Sequence, residues 1–183
     1  MVRASGGRRE TDLPRSLKQY LLPSGNERLR DNALMRAALD PLAVRRLTVD
    51  DAGGVAELCG QLGYAASAAE LQHRIGAIAR SADRIALAAV SDGQLVGWID
   101  AAIERHLQAP NTVVIGGLVV RDSARGCGVG RRLCAEIEEW ARSQGIPVVR
   151  VRSQMKREDA HRFYLRDGYR QVKTSLVFEK SVE

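Results

Sequence analysis

Three glycines at alternate positions, Gly126, Gly128 and Gly130, stand between a β-rich run ending at Val120 and a helical pattern starting at Val129. Glycine lets the main chain approach a ligand closely, and the first turn of a helix adds free N–H groups and the positive end of the dipole. The combination suits an anion of the pyrophosphate kind. Arg125 and Arg131 add positive charge at its rim. Two familiar phosphate patterns fail here. A P-loop closes on Gly-Lys-Ser/Thr, whereas this turn reads Gly130-Arg131-Arg132. A dinucleotide fingerprint is spaced GxGxxG and is followed by an acidic residue closing the next strand, which here reads Val151-Arg152. Kinase and dehydrogenase chemistry are thereby excluded.

The remaining reactive side chains are few. Asp100 and Glu104, toward the end of a strand that starts near Leu95, are the acidic candidates for a general base, because the next β-rich run, Thr112 to Gly117, offers no carboxylate. Cys59, Cys127 and Cys134 form an odd set without a CxxC pair, which argues against disulfides and for a reducing, cytoplasmic setting. Cys127 has no histidine placed beside it, so it makes a poor nucleophile. His73, His106 and His161 are scattered without metal-ligand spacing, and no metal is expected.

Arg125-x-x-Gly128-x-Gly130 is preceded by a strand and followed by a long helix. Further on comes Ala160-His161-Arg162-Phe163-Tyr164-Leu165-Arg166-Asp167-Gly168-Tyr169. In this order the features resemble the GNAT superfamily of acyl-CoA N-acyltransferases over residues 44–180. The resemblance implies acetyl-CoA as co-substrate, its pyrophosphate on the turn formed by Arg125, Gly126, Cys127, Gly128, Val129, Gly130 and Arg131. It also implies that the main chain of Leu118, Val119 and Val120 holds pantetheine, and that the Tyr164 hydroxyl delivers a proton to the thioester sulfur. One departure stands out: Arg157 occupies a position where family members often carry Asn. Ser153 is the polar residue that can replace that contact, and Lys156 and Arg157 face the nucleotide 3′-phosphate or solvent.

The implied reaction is direct attack of an amine on the thioester in a ternary complex, without an acyl-enzyme. The acceptor implied is the primary amine of a small molecule. The alternatives are a peptide or protein amine, or a non-catalytic acyl-CoA-binding regulatory domain. Gln61-Leu62-Gly63-Tyr64 resembles small bacterial members acting on aminoglycoside-type and other small amines. Residues 47–100 hold seven acidic residues against three arginines, a balance suited to a cationic acceptor. A homodimer is the one assembly the resemblance implies.

The elements that must position these residues follow from periodicity. Val44 to Thr48 alternates as a strand, and Asp50 or Asp51 can cap a helix running to Leu62. Ser67 and Glu70 form a capping box for a helix with Leu71, Ile75 and Ile78 on one face. Two apolar runs, Ile85–Val90 and Leu95–Ile99, flank Asp92-Gly93 as a hairpin, the second reaching Glu104. In the strand from Thr112 to Val120, Gly116 and Gly117 mark a bulge or a close backbone approach. Val129, Leu133, Ile137, Trp140 and Ala141 share one face of a long helix stopped by Gly145 and Pro147. Strands at Val148–Val151, Tyr169–Val172 and Leu176–Phe178, and a helix from Glu158 to Asp167, complete an α/β (α+β) domain. Its mixed, mostly antiparallel central sheet is flanked by helices, a GNAT-like fold.

The chain has 183 residues and a net charge of +6. Residues 1–46 hold ten Lys/Arg against five Asp/Glu, whereas the remainder holds eighteen against seventeen. The basic excess lies in residues 1–46; residues 1–43 form an arm mixing Gly, Ser, Pro and Arg, with a short helix over 27–39 as its one candidate element, and residues 44–183 form the domain. Near-neutrality of residues 47–183 argues against a nucleic-acid partner, and no apolar run is long enough to span a membrane.

Overall fold

Residues 84–120 alternate around glycine-containing turns, and they lay down the middle of the sheet. The computed structural model describes residues 42–61 and 63–182. In it β1 (Ala43–Arg46), β2 (Arg84–Ser91), β3 (Gln94–Glu104) and β4 (Thr112–Val120) run antiparallel in that order. The hairpin forms at Asp92 and Gly93, both with positive φ (50° and 74°), the handedness that matches strand twist. Outside β4 lies the short strand β5 (Val149–Val151), which pairs parallel to Val113–Ile115.

The period of two decides the layers. On β2, Ile85, Leu87 and Ala89 join one apolar cluster, while Ala86 and Ala88 join another on the opposite face. The second cluster is covered by α1 (Ala52–Gln61) and α2 (Ala68–Ala79), through Val55, Cys59, Leu71 and Ile75. The first is covered by α3 (Val129–Ser143), whose Val129, Leu133, Ile137 and Ala141 are buried as their spacing requires. α4 (Glu158–Arg166) follows β5 and lies beside α3, with Phe163 and Tyr164 packed on the same cluster. Among the described residues a five-stranded mixed sheet with four helices therefore stands where a mixed, mostly antiparallel sheet with flanking helices was expected.

Two local expectations are corrected. Asp51 does not cap α1. Its carboxylate accepts from the Thr48 N–H at 2.8 Å and closes a capping box on a 3-10 turn, Val49–Asp51, that precedes the helix. The strands expected at Tyr169–Val172 and Leu176–Phe178 are absent. β-rich composition makes a strand only where a ladder partner is in register. Beyond Tyr169 the chain runs without joining β5, which ends the sheet. The basic arm and the helix expected at 27–39 lie outside the described residues.

Candidate active site

β4 has β3 along one side for its whole length, from Thr112 opposite Glu104 to Val120 opposite Gly97. On its other side β5 pairs only as far as Ile115. The stretch Gly116–Val120 therefore presents a main-chain edge with no strand beside it. It leads directly through a short 3-10 turn, Asp122–Ala124, into the glycine turn. Gly126 and Gly128 have φ of 79° and 88°, values that L side chains rarely adopt, so both positions require glycine.

Gly128 is the N-cap of α3 and brings no side chain to the first-turn amides, so those of Val129, Gly130 and Arg131 have no side-chain cap. A Cβ on Gly128 would meet nothing within 4 Å. The cradle is open, and its donors fit a pyrophosphate. Arg125 pairs with Asp122 at 2.7 Å and reaches the Val120 carbonyl, while Arg131 contacts Asp167 at 3.5 Å and is otherwise exposed. The guanidinium of Arg121 donates to both Glu57 oxygens, at 2.6 and 3.2 Å, and to the Leu95 carbonyl, tying α1 to the start of this turn.

The bulge expected at Gly116-Gly117 is present, as a register shift beside Asp100. A Cβ on Gly116 would lie 2.8 Å from Asp100 Oδ2, and one on Gly117 would lie 2.8 Å from the Trp98 ring. The two glycines thus make room for the carboxylate and the indole, which share the β3 face beneath α1 and α2. Asp100 sits opposite Gly117, accepts its N–H, and has Arg84 at 3.8 Å. Its side chain is 22% exposed, and burial pushes the carboxyl above the ordinary aspartate range, against the opposing effects of Arg84 and the Gly117 amide. Trp98 Nε1 is buried without a partner among the described residues.

Glu104 stands four residues along β3, roughly 13 Å from Asp100 at strand rise. It pairs with Arg152 at 2.8 Å and with His106 at 3.3 Å, and the Arg152 hydrogen bond holds its carboxyl below the usual range. The structure separates the two acidic candidates: Asp100 is half-buried opposite Gly117 with Arg84 at 3.8 Å, while Glu104 pairs more closely with Arg152 opposite Thr112 at the start of β4.

Tyr164 lies on α4, with edge-to-face ring contacts to Phe163 at 5.0 Å and Tyr169 at 5.4 Å. Burial raises its phenol well above the ordinary value, so the hydroxyl stays protonated. The Arg157 guanidinium acts on it in the opposite sense, easing loss of the proton. The sequence reading of Arg157, toward phosphate or solvent, did not include this influence on Tyr164, because position N-terminal to a helix does not tell where a long side chain turns. α4 is held close to α3: a Cβ on Gly130 would lie 3.3 Å from the Phe163 ring, and Tyr169 donates to Glu138 at 3.1 Å. Ser153 is exposed in the segment that follows β5.

Cys59 and Cys134 are buried, and burial pushes the Cys134 thiol up to about 12, the behaviour of a structural cysteine. Cys127 is half-buried, its Sγ 3.8 Å from the Arg125 carbonyl. Among the described residues no group of three His, Cys, Asp or Glu side chains could hold a metal ion. No helix among them is long and apolar enough to cross a membrane. The acidic excess of residues 47–100 is largely neutralised by arginines. Asp51 meets Arg45, Glu57 meets Arg121, Glu70 meets Arg74, Asp83 meets Arg105, and Asp100 meets Arg84.

The family model described as Acetyltransferase (GNAT) family matches residues 55–169. An aminoalkylphosphonate N-acetyltransferase of Salmonella typhimurium is 42% identical over 84 residues, which are 45% of this chain and 54% of that relative. The match thus spans about half the length of that protein. An aminoglycoside N(6′)-acetyltransferase type 1 of Stenotrophomonas maltophilia is 25% identical over 145 residues, 76% of this chain and 94% of the relative. Among solved structures, the aminoglycoside acetyltransferase AAC(6′)-Iy with a CoA bisubstrate analogue superposes with a TM-score of 0.69 at 17% identity. It covers 77% of this chain and 99% of that one. At that identity the likeness speaks to the fold alone.

Proposed function

The chain belongs to the GNAT acetyltransferase family, and from that premise we propose that it is an acetyl-CoA-dependent N-acetyltransferase acting on a small molecule with a primary amine. The observation that carries the reading is the open edge of β4, which runs from beside the half-buried carboxylate of Asp100 straight into the glycine turn. The relatives matched by sequence act, by their names, on an aminoalkylphosphonate and an aminoglycoside, both small amines.

Acetyl-CoA supplies the activated acetyl thioester when bound. The main-chain groups of Leu118, Val119 and Val120 hold its pantetheine arm along the open edge, with Ser153, exposed after β5, as a further polar contact. The Gly126–Gly128 turn and the amides of Val129, Gly130 and Arg131 take the pyrophosphate, with Arg125, Arg131 and the backbone of Cys127 at the rim. Asp100, made more basic by burial, receives the proton that the acceptor ammonium must lose before its nitrogen can attack. The Trp98 ring beside it offers that cation an aromatic wall. A main-chain N–H of the edge meets the oxygen on which negative charge develops. Tyr164 then protonates the departing sulfur as the C–S bond breaks, with Arg157 easing that transfer. Glu104, ion-paired with Arg152, takes no part in this scheme.

Acetyl-CoA-dependent release of free thiol, measured across aminoalkylphosphonates, aminoglycosides, polyamines, amino acids and short peptides, tests the reading. Turnover is expected with a small amine. In the Tyr164→Phe variant kcat should fall about 10²-fold while KM for acetyl-CoA stays within about twofold. Silence across the panel from a chain that binds acetyl-CoA would overturn the enzyme reading in favour of a binding domain.

A further inference from the structure

The period of two puts Arg84 on the same face of the sheet as Ala86 and Ala88, the face that α1 and α2 cover. Along the strands the order runs from the glycine turn past Asp100, opposite Ala86 and Gly117, to Arg84, opposite Ala102. Arg84 lies 3.8 Å from the Asp100 carboxylate, too far for a hydrogen bond, and its guanidinium makes none among the described residues. Other arginines of the chain behave differently. Arg45, Arg105 and Arg121 hold Asp51, Asp83 and Glu57 at 2.6–2.7 Å. Arg84 is thus a half-exposed guanidinium whose fork of donors is not committed to a carboxylate.

The same arginine lines a cavity of about 370 Å³ at the end of the sheet away from the glycine turn. Arg46, Ser81 and Gln144 supply the rest of its polar lining, and Leu47, Ile75 and Trp140 part of its apolar one. Among the described residues the lining holds two arginines and no carboxylate. The size suits part of a small molecule, and the charge suits an anion. Asp100 suits a cation. The fold therefore sets a positive cavity and a negative carboxylate side by side, with Arg84 common to both.

We infer that the acceptor is a short zwitterion, an amine that also bears an acid group, held with its nitrogen at Asp100 and its carboxylate or phosphonate on Arg84 in this cavity. Hydrogen bonds of about 2.8 Å at each end leave the ligand's nitrogen and acid oxygen no more than about 9 Å apart. A linker of a few carbons meets that limit. The planar guanidinium can grip either oxyacid through two parallel N–H groups. Seating the acid there also cancels the influence by which Arg84 lowers the Asp100 carboxyl, so the base strengthens when this ligand is bound. A polycation meets the reverse, because Arg84 repels its second amine. Naming the ligand the acceptor rests on the acetyl-transfer reading; the binding site itself does not.

Titration calorimetry on the full chain in saturating CoA tests the site, and thiol-release kinetics test the enzyme reading. The probes are aminoethylphosphonate, β-alanine, propylamine and spermidine, each with the parent, Arg84→Gln and Arg84→Lys. At least one zwitterion should bind the parent about tenfold or more tightly than propylamine and spermidine do, and the better of the two tells a phosphonate site from a carboxylate site. In Arg84→Gln the zwitterion should lose at least about tenfold in affinity, while propylamine and spermidine bind as well as before or better. Arg84→Lys, which keeps the charge without the fork, should fall between. Arg84 begins β2 with its side chain half in water, so the fold survives both changes, and an unchanged thermal melt verifies this. No binding of either zwitterion, or equal affinity for all four probes, overturns the inference. So does an equal loss for all four in Arg84→Gln, which marks a structural role. Zwitterion binding without thiol release from any amine supports the site and overturns the acetyl-transfer reading, whereas release that favours propylamine or spermidine supports that reading and overturns the inference.

Discussion

At Asp100 a carboxylate is packed over two glycines and opposite the one amide it can accept, and the fold holds its pKa above the ordinary value. A carboxyl raised in the folded state favours folding while it is protonated. That contribution is complete below the unfolded pKa and is lost as pH rises through the folded one. At neutral pH the ionised side chain therefore opposes stability, and Arg84, half-exposed at 3.8 Å, offsets little of this. Asp100→Asn should consequently leave Tm at neutral pH equal to or above that of the parent while lowering kcat about 10²-fold. In the parent, kcat should rise with pH along a limb centred above the ordinary aspartate range, and the variant should lack that limb. An unchanged pH profile would remove Asp100 from the reaction. The glycine turn was legible in the sequence because only glycine tolerates φ near +80° at Gly126 and Gly128. The choice between Asp100 and Glu104 was not, because both fall on the same face of β3 at even spacing. Only the register with β4 and the reach of Arg152 set them apart.

Most elements bounded by local chemistry were read correctly, the Asp51 cap excepted, whereas two strands expected beyond Tyr169 on composition did not form. Ser67 and Glu70 announce α2 three residues apart, and the structure closes the box with the Glu70 N–H on Ser67 Oγ at 3.2 Å and the Ser67 N–H on Glu70 Oε2 at 2.9 Å. Asp92-Gly93 and the Gly145 stop after α3 are of the same kind, each fixed by residues within one turn. The Leu176–Phe178 run has equal local merit as a strand, but it meets no ladder partner among the described residues, and composition carries no information about whether one is met. Because the α2 cap is local and remote from the glycine turn, its loss should act on stability alone. Ser67→Ala is expected to cost about 1 kcal/mol, or about 2–4 °C in Tm, with kcat and KM unchanged. Thermal melts and steady-state kinetics on the same preparation check both halves. A kinetic effect without a thermal one would mean that α2 shapes the acceptor cleft through its own end.

The sheet carries two cores, and the proposed chemistry is divided between its faces. Ile99 packs beneath α3 while its neighbours Trp98 and Asp100 face α1 and α2. The glycine turn lies at the end of β4 where it leads into α3, and Glu57 on α1 reaches it only through Arg121. Cofactor binding and acceptor chemistry should therefore be separable in a stability measurement. Acetyl-CoA at a hundred times its Kd should stabilise the fold by about 2.7 kcal/mol, since it binds only the folded chain. Gly128→Glu should abolish that increment, by placing a negative charge in the cradle meant for phosphate. Its baseline loss should be held to about 1–2 kcal/mol of backbone strain, because a side chain there meets open space. Gly128→Ala bears the same strain without the charge and should keep most of the increment. Asp100→Asn should keep all of it. Chemical denaturation of the four proteins with and without acetyl-CoA reads these values together. An increment that survives Gly128→Glu would place the phosphates elsewhere. One that vanishes in Asp100→Asn would show that the two faces of the sheet do not act independently.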